Sequence, residues 1–141
     1  MLIFNKAYFI LTIFLFITEV LIALYVHDDI IRPYFGDLLV VILLYCFVKS
    51  FLNWSTLTTA LSVLAFSYLI ETLQYFNIVQ HLGLGDSTIA NVVIGNYFTW
   101  VDILAYTLGV LVVLGIEKIK LIWFERQDLR KSKNNNTWLF L

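Results

Sequence analysis

Charge is scarce in this chain, and the places where it is missing carry most of the information. Only 13% of the 141 residues are Asp, Glu, Lys or Arg, against about 25% in soluble domains. No Lys or Arg occurs between Lys49 and Lys118. The single cysteine, Cys46, excludes an intramolecular disulfide and reads as a small hydrophobe inside an apolar run. Two histidines, His27 and His81, with no HExxH and no cysteine-rich set, give no metal centre, and no cofactor is expected. Gly83-Leu84-Gly85 is too short for a phosphate loop. No basic patch is interleaved with exposed aromatics, so nucleic acid is excluded as a partner.

Apolar residues fill the space that charge leaves. The chain is 61% hydrophobic and 17% aromatic, with a mean hydropathy of +0.88. A soluble domain of this size cannot hide so much apolar surface. The composition therefore predicts an all-α integral membrane protein, a bundle of four transmembrane helices.

The spans are expected at about Ala7 to Val26, Asp37 to Leu52, Ser55 to Gln80 and Val101 to Trp123. The first resembles a signal peptide, but it is long, is interrupted by Glu19 and lacks a small-x-small site before His27, so it is read as an uncleaved span. Pro33 and Gly36 are read as breaking the chain before the second span, with Asp37 as its cap. Asn53-Trp54-Ser55 makes a tight turn between the second and third spans, capped by Ser55 or Thr56. Ile89 to Ile94, after Asp86-Ser87-Thr88, predicts a short interfacial or re-entrant helix between the third and fourth spans. The division is a transmembrane domain over residues 1–125 and a basic, polar tail over 126–141, flexible from Ser132 to Thr137.

Lys6, Lys49, Lys118, Lys120, Arg126, Arg130, Lys131 and Lys133 all fall at one predicted end of the bundle. By the positive-inside rule both termini are cytoplasmic, and the acidic loops face outward. In that frame the outer half of the bundle receives one acid from each helix: Glu19, Asp37, Glu71 and Asp102. Glu71 is the sole ionisable group in Ser55 to Gln80. A carboxylate at mid-bilayer costs about 2.5–3.5 kcal/mol on insertion scales, so it marks a candidate site. Ser67, Glu71, Gln74, Asn77 and His81 follow steps of three and four, as do Asp102, Tyr106 and Gly109, and as do Thr12, Glu19 and Ala23 less distinctively. Such stripes face one another rather than lipid. Arg32 is the one cation near them in sequence. The candidate ligand-binding set is thus Glu71, Gln74, Asp102, Glu19, Arg32, Asp37 and Tyr106, with Glu71 the sole catalytic candidate. A purely structural role for Glu71, hydrogen-bonded to Gln74 or Tyr106, stands beside the functional one.

Glu71-Thr72-Leu73-Gln74, followed by Asp102-Ile103-Leu104-Ala105-Tyr106-Thr107-Leu108-Gly109, resembles the VanZ-like membrane proteins. That family carries Glu-x-x-Gln on one helix and Asp-x-x-x-Asn-x-x-Gly at the start of the next. Tyr106 stands at the Asn position. The chain as a whole is still more similar to a neighbouring family of small bacterial four-span proteins of unknown function. The resemblance implies a multi-pass protein of the bacterial cytoplasmic membrane, related to proteins linked to glycopeptide resistance of the teicoplanin type.

Three classes of function fit these residues. The first is binding of a lipid headgroup, an envelope precursor or a small ligand in an outward acidic pocket, or an accessory role in a larger membrane complex. The second is an enzyme using Glu71 as general acid or base on a lipid-linked substrate. The third is a subunit of a proton- or cation-coupled transporter, which with four short helices requires homo-oligomers. Membrane lipids are the expected partners in each.

Overall fold

The computed structural model describes residues 1–29, 31–93 and 98–137. Its elements are α1 (Lys6–Tyr25), α2 (Ile31–Phe51), α3 (Thr56–Tyr75), α4 (Ile78–His81), α5 (Thr88–Val93) and α6 (Trp100–Thr137). Among the described residues there is no strand, only an isolated antiparallel bridge between Leu2 and Leu52. Helices α1, α2, α3 and α6 are long and apolar enough to cross a membrane.

α2 is the hub: it packs against α1, α3 and α6, and α3 also packs against α6. Small residues let these helices approach closely. Ala60, Ser50 and Thr59 are completely or almost completely buried, and the hydroxyls satisfy themselves within their own helices. Ser50 Oγ donates to the Cys46 carbonyl at 2.7 Å and Thr59 Oγ1 to the Ser55 carbonyl at 2.9 Å. Gly109 makes the closest approach. A Cβ there would lie 2.9 Å from the Leu38 carbonyl oxygen and 3.3 Å from Val41 Cβ. The core joins Leu15, Val41, Tyr45, Cys46, Val63, Tyr106 and Val110. On α1, Ile10, Phe14, Ile17 and Leu21 are exposed along one helical face; lipid is the solvent for which such a face is written.

The two ends of the bundle differ. At one, the N-terminal segment runs beside the end of α2: the Ile3 amide donates to the Phe51 carbonyl and the Asn5 amide to that of Ser50, both at 2.9 Å. Asn5 Oδ1 caps α1 through the Ala7 amide, and Ser55 Oγ caps α3 through the Thr58 amide. Lys49 Nζ bonds the Trp54 carbonyl at 2.8 Å, and a pocket joins Thr56 to Glu117, Lys118 and Lys120. The cationic positions Lys6, Lys49, Lys118 and Lys120 therefore share this end. The other end carries the acidic seam.

Three element boundaries depart from the sequence expectation, each for a physical reason. α2 begins at Ile31, six residues before Asp37. Pro33 occupies its first turn, where a missing N–H costs no intrahelical bond and the ring's fixed φ suits a helix. Asp37 is thus inside the helix and is not its cap; Asp28 Oδ1 receives the Ile31 amide at 3.2 Å instead. α3 ends at Tyr75, because Asn77 adopts a left-handed backbone (φ 49) that an α-helix cannot continue through. α6 runs 38 residues without a break, about 57 Å at ~1.5 Å per residue. That exceeds the ~30 Å of a hydrocarbon core, so its last turns project beyond any bilayer, and Ser132 to Thr137 are helical. Trp138 to Leu141 lie outside the described residues, as does Ile94. The short helix expected from Ile89 is α5, with Ser87 Oγ accepting from the Ala90 amide at 3.3 Å.

Candidate functional site

Four carboxyl-bearing residues meet between α2, α3 and α6 at the end away from the lysines. A cavity of about 430 Å³ is lined there by Asp29, Pro33, Tyr34, Asp37, Glu71, Gln74, Thr99, Asp102 and Tyr106. Helical spacing explains the set. Pro33 and Asp37 are one turn apart on α2, Asp102 and Tyr106 one turn apart on α6, and Glu71 and Gln74 three residues apart on α3. Thr99 both lines the cavity and starts α6, its Oγ1 accepting from the Asp102 amide at 3.2 Å. The Asp37 carboxyl faces that of Asp102, with Glu71 and Glu19 nearby.

Glu71 forms the floor. Its residue is 1% exposed, and Tyr106 Oη donates to Oε1 at 2.9 Å. Its second oxygen, Oε2, is buried with no hydrogen-bond partner among the described residues. A buried acceptor left without a donor costs about 1–3 kcal/mol, more for a charged group. One turn below, on α3, Ser67 Oγ is satisfied by the Val63 carbonyl at 3.0 Å and does not reach for Glu71. On the flank of the same seam, Tyr68 Oη and Thr107 Oγ1 share a 2.6 Å hydrogen bond that pins α3 to α6.

Glu71 is closer to the end of its helix than the longer predicted span implied. It stands four residues before Tyr75, about 6 Å along the axis. Asp37 lies six residues inside α2 and Tyr106 six residues inside α6, about 9 Å from their respective ends.

The sequence candidates divide in two. Glu71, Gln74, Asp37, Asp102 and Tyr106 line the cavity. Glu19 and Arg32 are not among its lining residues. Glu19 is half-buried on α1, its Oε2 3.6 Å from where a Gly36 Cβ would stand, and its Oε1 is buried without a partner among the described residues. Arg32 is exposed in the first turn of α2. Asn77 and His81, placed on the seam by spacing, are exposed beyond the helix break. Asp29, Pro33, Tyr34 and Thr99 were not among the sequence candidates. Starting α2 at Ile31 is the signal that would have found Pro33 and Tyr34, one turn from Asp37.

No three of His, Cys, Asp or Glu are grouped to hold a metal ion among the described residues. The cavity presents clustered carboxyl acceptors, with Asp37 and Asp102 within hydrogen-bonding reach of each other.

A second polar cluster, also unforeseen, lies at the lysine-bearing end. Tyr8 Oη donates to Glu117 Oε1, Lys120 Nζ donates to Tyr8 Oη at 3.2 Å, and Lys120 pairs with Glu117 Oε2 at 3.9 Å. These bonds tie α1 to α6 across 109 residues of sequence, a separation that no local pattern reveals.

A family described as Protein of unknown function (DUF2809) matches residues 26–110. The matched stretch contains every residue lining the acidic cavity, from Asp29 to Tyr106, and leaves out Glu19, Glu117 and the projecting part of α6. No curated protein and no solved structure matches the chain.

Proposed function

The chain belongs to the DUF2809 family of uncharacterised proteins, and from its cavity we propose that it is a multi-pass membrane protein that binds a ligand presenting a cationic hydrogen-bond donor. One observation carries this reading: Glu71 Oε2, buried on the cavity floor, lacks among the described residues the donor that its burial calls for. Asp29, Asp37 and Asp102 around it supply further acceptors, and Gln74 orients the ligand through its amide. A volume of about 430 Å³ suits a small molecule or a lipid headgroup; small-molecule sites span roughly 300–1,000 Å³. Arg32 stays available to a phosphate carried by the same ligand.

The finer placement follows from charge. By the positive-inside rule the lysine-rich end faces the cytoplasm and the cavity opens outward; a bacterial cytoplasmic membrane is what the VanZ-like resemblance implies. The Glu71-x-x-Gln74 and Asp102-to-Gly109 motifs support kinship with the VanZ-like proteins and a role in the cell envelope.

Ethanolamine titrated into detergent-solubilised protein tests the reading. It is expected to raise the unfolding temperature, whereas sodium acetate at equal ionic strength is not. Glu71→Gln keeps the shape and one hydrogen-bonding oxygen but removes the charge, and is expected to lower ethanolamine affinity at least tenfold without loss of folded yield. Wild-type affinity in Glu71→Gln refutes the proposal.

A further inference from the structure

An apolar groove of about 410 Å³ runs along the other side of the contact between α2 and α6. Ile31, Phe35 and Leu38 form one wall, Val101, Leu104 and Leu108 the other. Tyr34 lines both the groove and the acidic cavity, so the two spaces adjoin at this one side chain. They also share a direction. From Val101 to Leu108 the groove follows α6 for about 10 Å at ~1.5 Å per residue, beginning beside Asp102 and running toward the Gly109 contact in the middle of the bundle.

We propose that the ligand of the acidic cavity is a membrane lipid with an ammonium headgroup, its nitrogen at Glu71 and one acyl chain in the groove between α2 and α6. The inference rests on the cavity reading above and adds the source of the cation. Charge complementarity selects the headgroup. Glu71 Oε2 has no donor among the described residues, on a floor surrounded by Asp29, Asp37 and Asp102, and an ammonium supplies both charge and N–H groups. The groove selects a lipid over a free amine, because a wall made of Ile31, Phe35, Leu104 and Leu108, all exposed, offers a soluble amine nothing. Its orientation matches a lipid with its head at the membrane surface and its tail directed inward. Arg32, exposed in the same turn as Pro33 and Tyr34, is the counter-charge for the phosphate that follows the ammonium in such a headgroup.

Binding of short-chain phosphatidylethanolamine, short-chain phosphatidylglycerol and free ethanolamine to the purified full-length protein, followed by its tryptophan fluorescence, tests this. Phosphatidylethanolamine is expected to bind at least tenfold more tightly than either of the others. Leu104→Trp fills the groove from an exposed position and should weaken phosphatidylethanolamine at least tenfold while leaving ethanolamine unchanged. Leu108→Ser, which makes the groove polar without adding bulk, should act the same way if Leu104→Trp fails to fold. Unchanged phosphatidylethanolamine affinity in the folded groove variants overturns the inference and leaves the cavity reading intact. Equal binding of phosphatidylglycerol overturns the headgroup assignment. Loss of neither ligand in Glu71→Gln removes the cavity reading and this inference together.

Discussion

Gly109→Ala places one methyl group where the fold has no room for it. Its Cβ would lie 2.9 Å from the Leu38 carbonyl oxygen and 3.3 Å from Val41 Cβ, and ordinary contact begins near 3.4 Å. The obstructing oxygen is backbone, so no rotamer change relieves it, and α6 must retreat from α2 by roughly half an ångström along the whole contact. Overpacking of this kind costs about 1–3 kcal/mol. The better helix propensity of Ala returns ~1 kcal/mol, leaving a net loss of up to about 2 kcal/mol. A loss of that size shifts the unfolding equilibrium by up to about 30-fold. Gly115→Ala is the matched control, since a Cβ there meets nothing within 4 Å. The assay is reversible unfolding in mixed micelles with increasing SDS, read by tryptophan fluorescence. A second readout follows from geometry: Asp37 lies one residue before Leu38, so moving α2 away from α6 opens the cavity and weakens ethanolamine. If Gly109→Ala unfolds at the same SDS fraction as Gly115→Ala, the α2–α6 contact is not where the structure puts it.

The remaining predictions concern the floor of the cavity and the direction of the chain. Tyr106→Phe removes the donor to Glu71 Oε1 and is expected to destabilise the protein by about 1 kcal/mol, within the range for buried hydrogen bonds in water and in membranes. In a Glu71→Leu background the same change should cost nothing, and equal costs in both backgrounds would show that the two side chains do not interact. For orientation, Cys46 is 2% exposed and leaves a low labelling background, so single cysteines at Asp86 and Ser132, both exposed, report the two faces. Asp86→Cys should react with an impermeant maleimide on intact cells and Ser132→Cys only after permeabilisation; the reverse pattern overturns the outward-facing cavity.

Much of this architecture is legible in hydropathy alone, because four apolar runs of membrane-spanning length leave few alternatives. The misread boundaries share a cause: each turned on a residue whose backbone preference depends on its position. Pro33 breaks a helix in its interior but starts one in its first turn. Asn77 carries no hydropathy signal for the left-handed conformation that ends α3. The polar composition of Ser132 to Thr137 suggests a free tail, yet nothing between Gly115 and Thr137 is a glycine or proline, and α6 propagates through it. At the site, spacing by three and four grouped Glu71 with Gln74 and Asp102 with Tyr106, because period reports which face a residue occupies. Period does not report which faces meet. That is why Glu19 stands at Gly36 on α2 and not in the cavity, and why Tyr8, Glu117 and Lys120 went unforeseen.

Glu19 and Glu71 each bury an oxygen without a partner among the described residues, and the comparison decides which of them the fold tolerates for a reason. Glu19 is half-buried on α1, whose outer face is open, and a small displacement brings its carboxyl back toward water or headgroups. Glu71 is 1% exposed, held by Tyr106 and enclosed by three helices, and has no such escape. If packing were its only task, an apolar pair of similar size would serve as well or better, since replacing both partners of a buried polar pair is often neutral or stabilising. The double variant Glu71→Leu, Tyr106→Phe is therefore expected to match or exceed the wild type in SDS resistance and to lose ethanolamine binding altogether. Stability retained with binding lost identifies Glu71 as a group kept for its ligand at a cost to the fold. A double variant that unfolds more readily than either single one would mean that the carboxyl and the phenol hold α3 to α6, and that the cavity is a by-product of their packing.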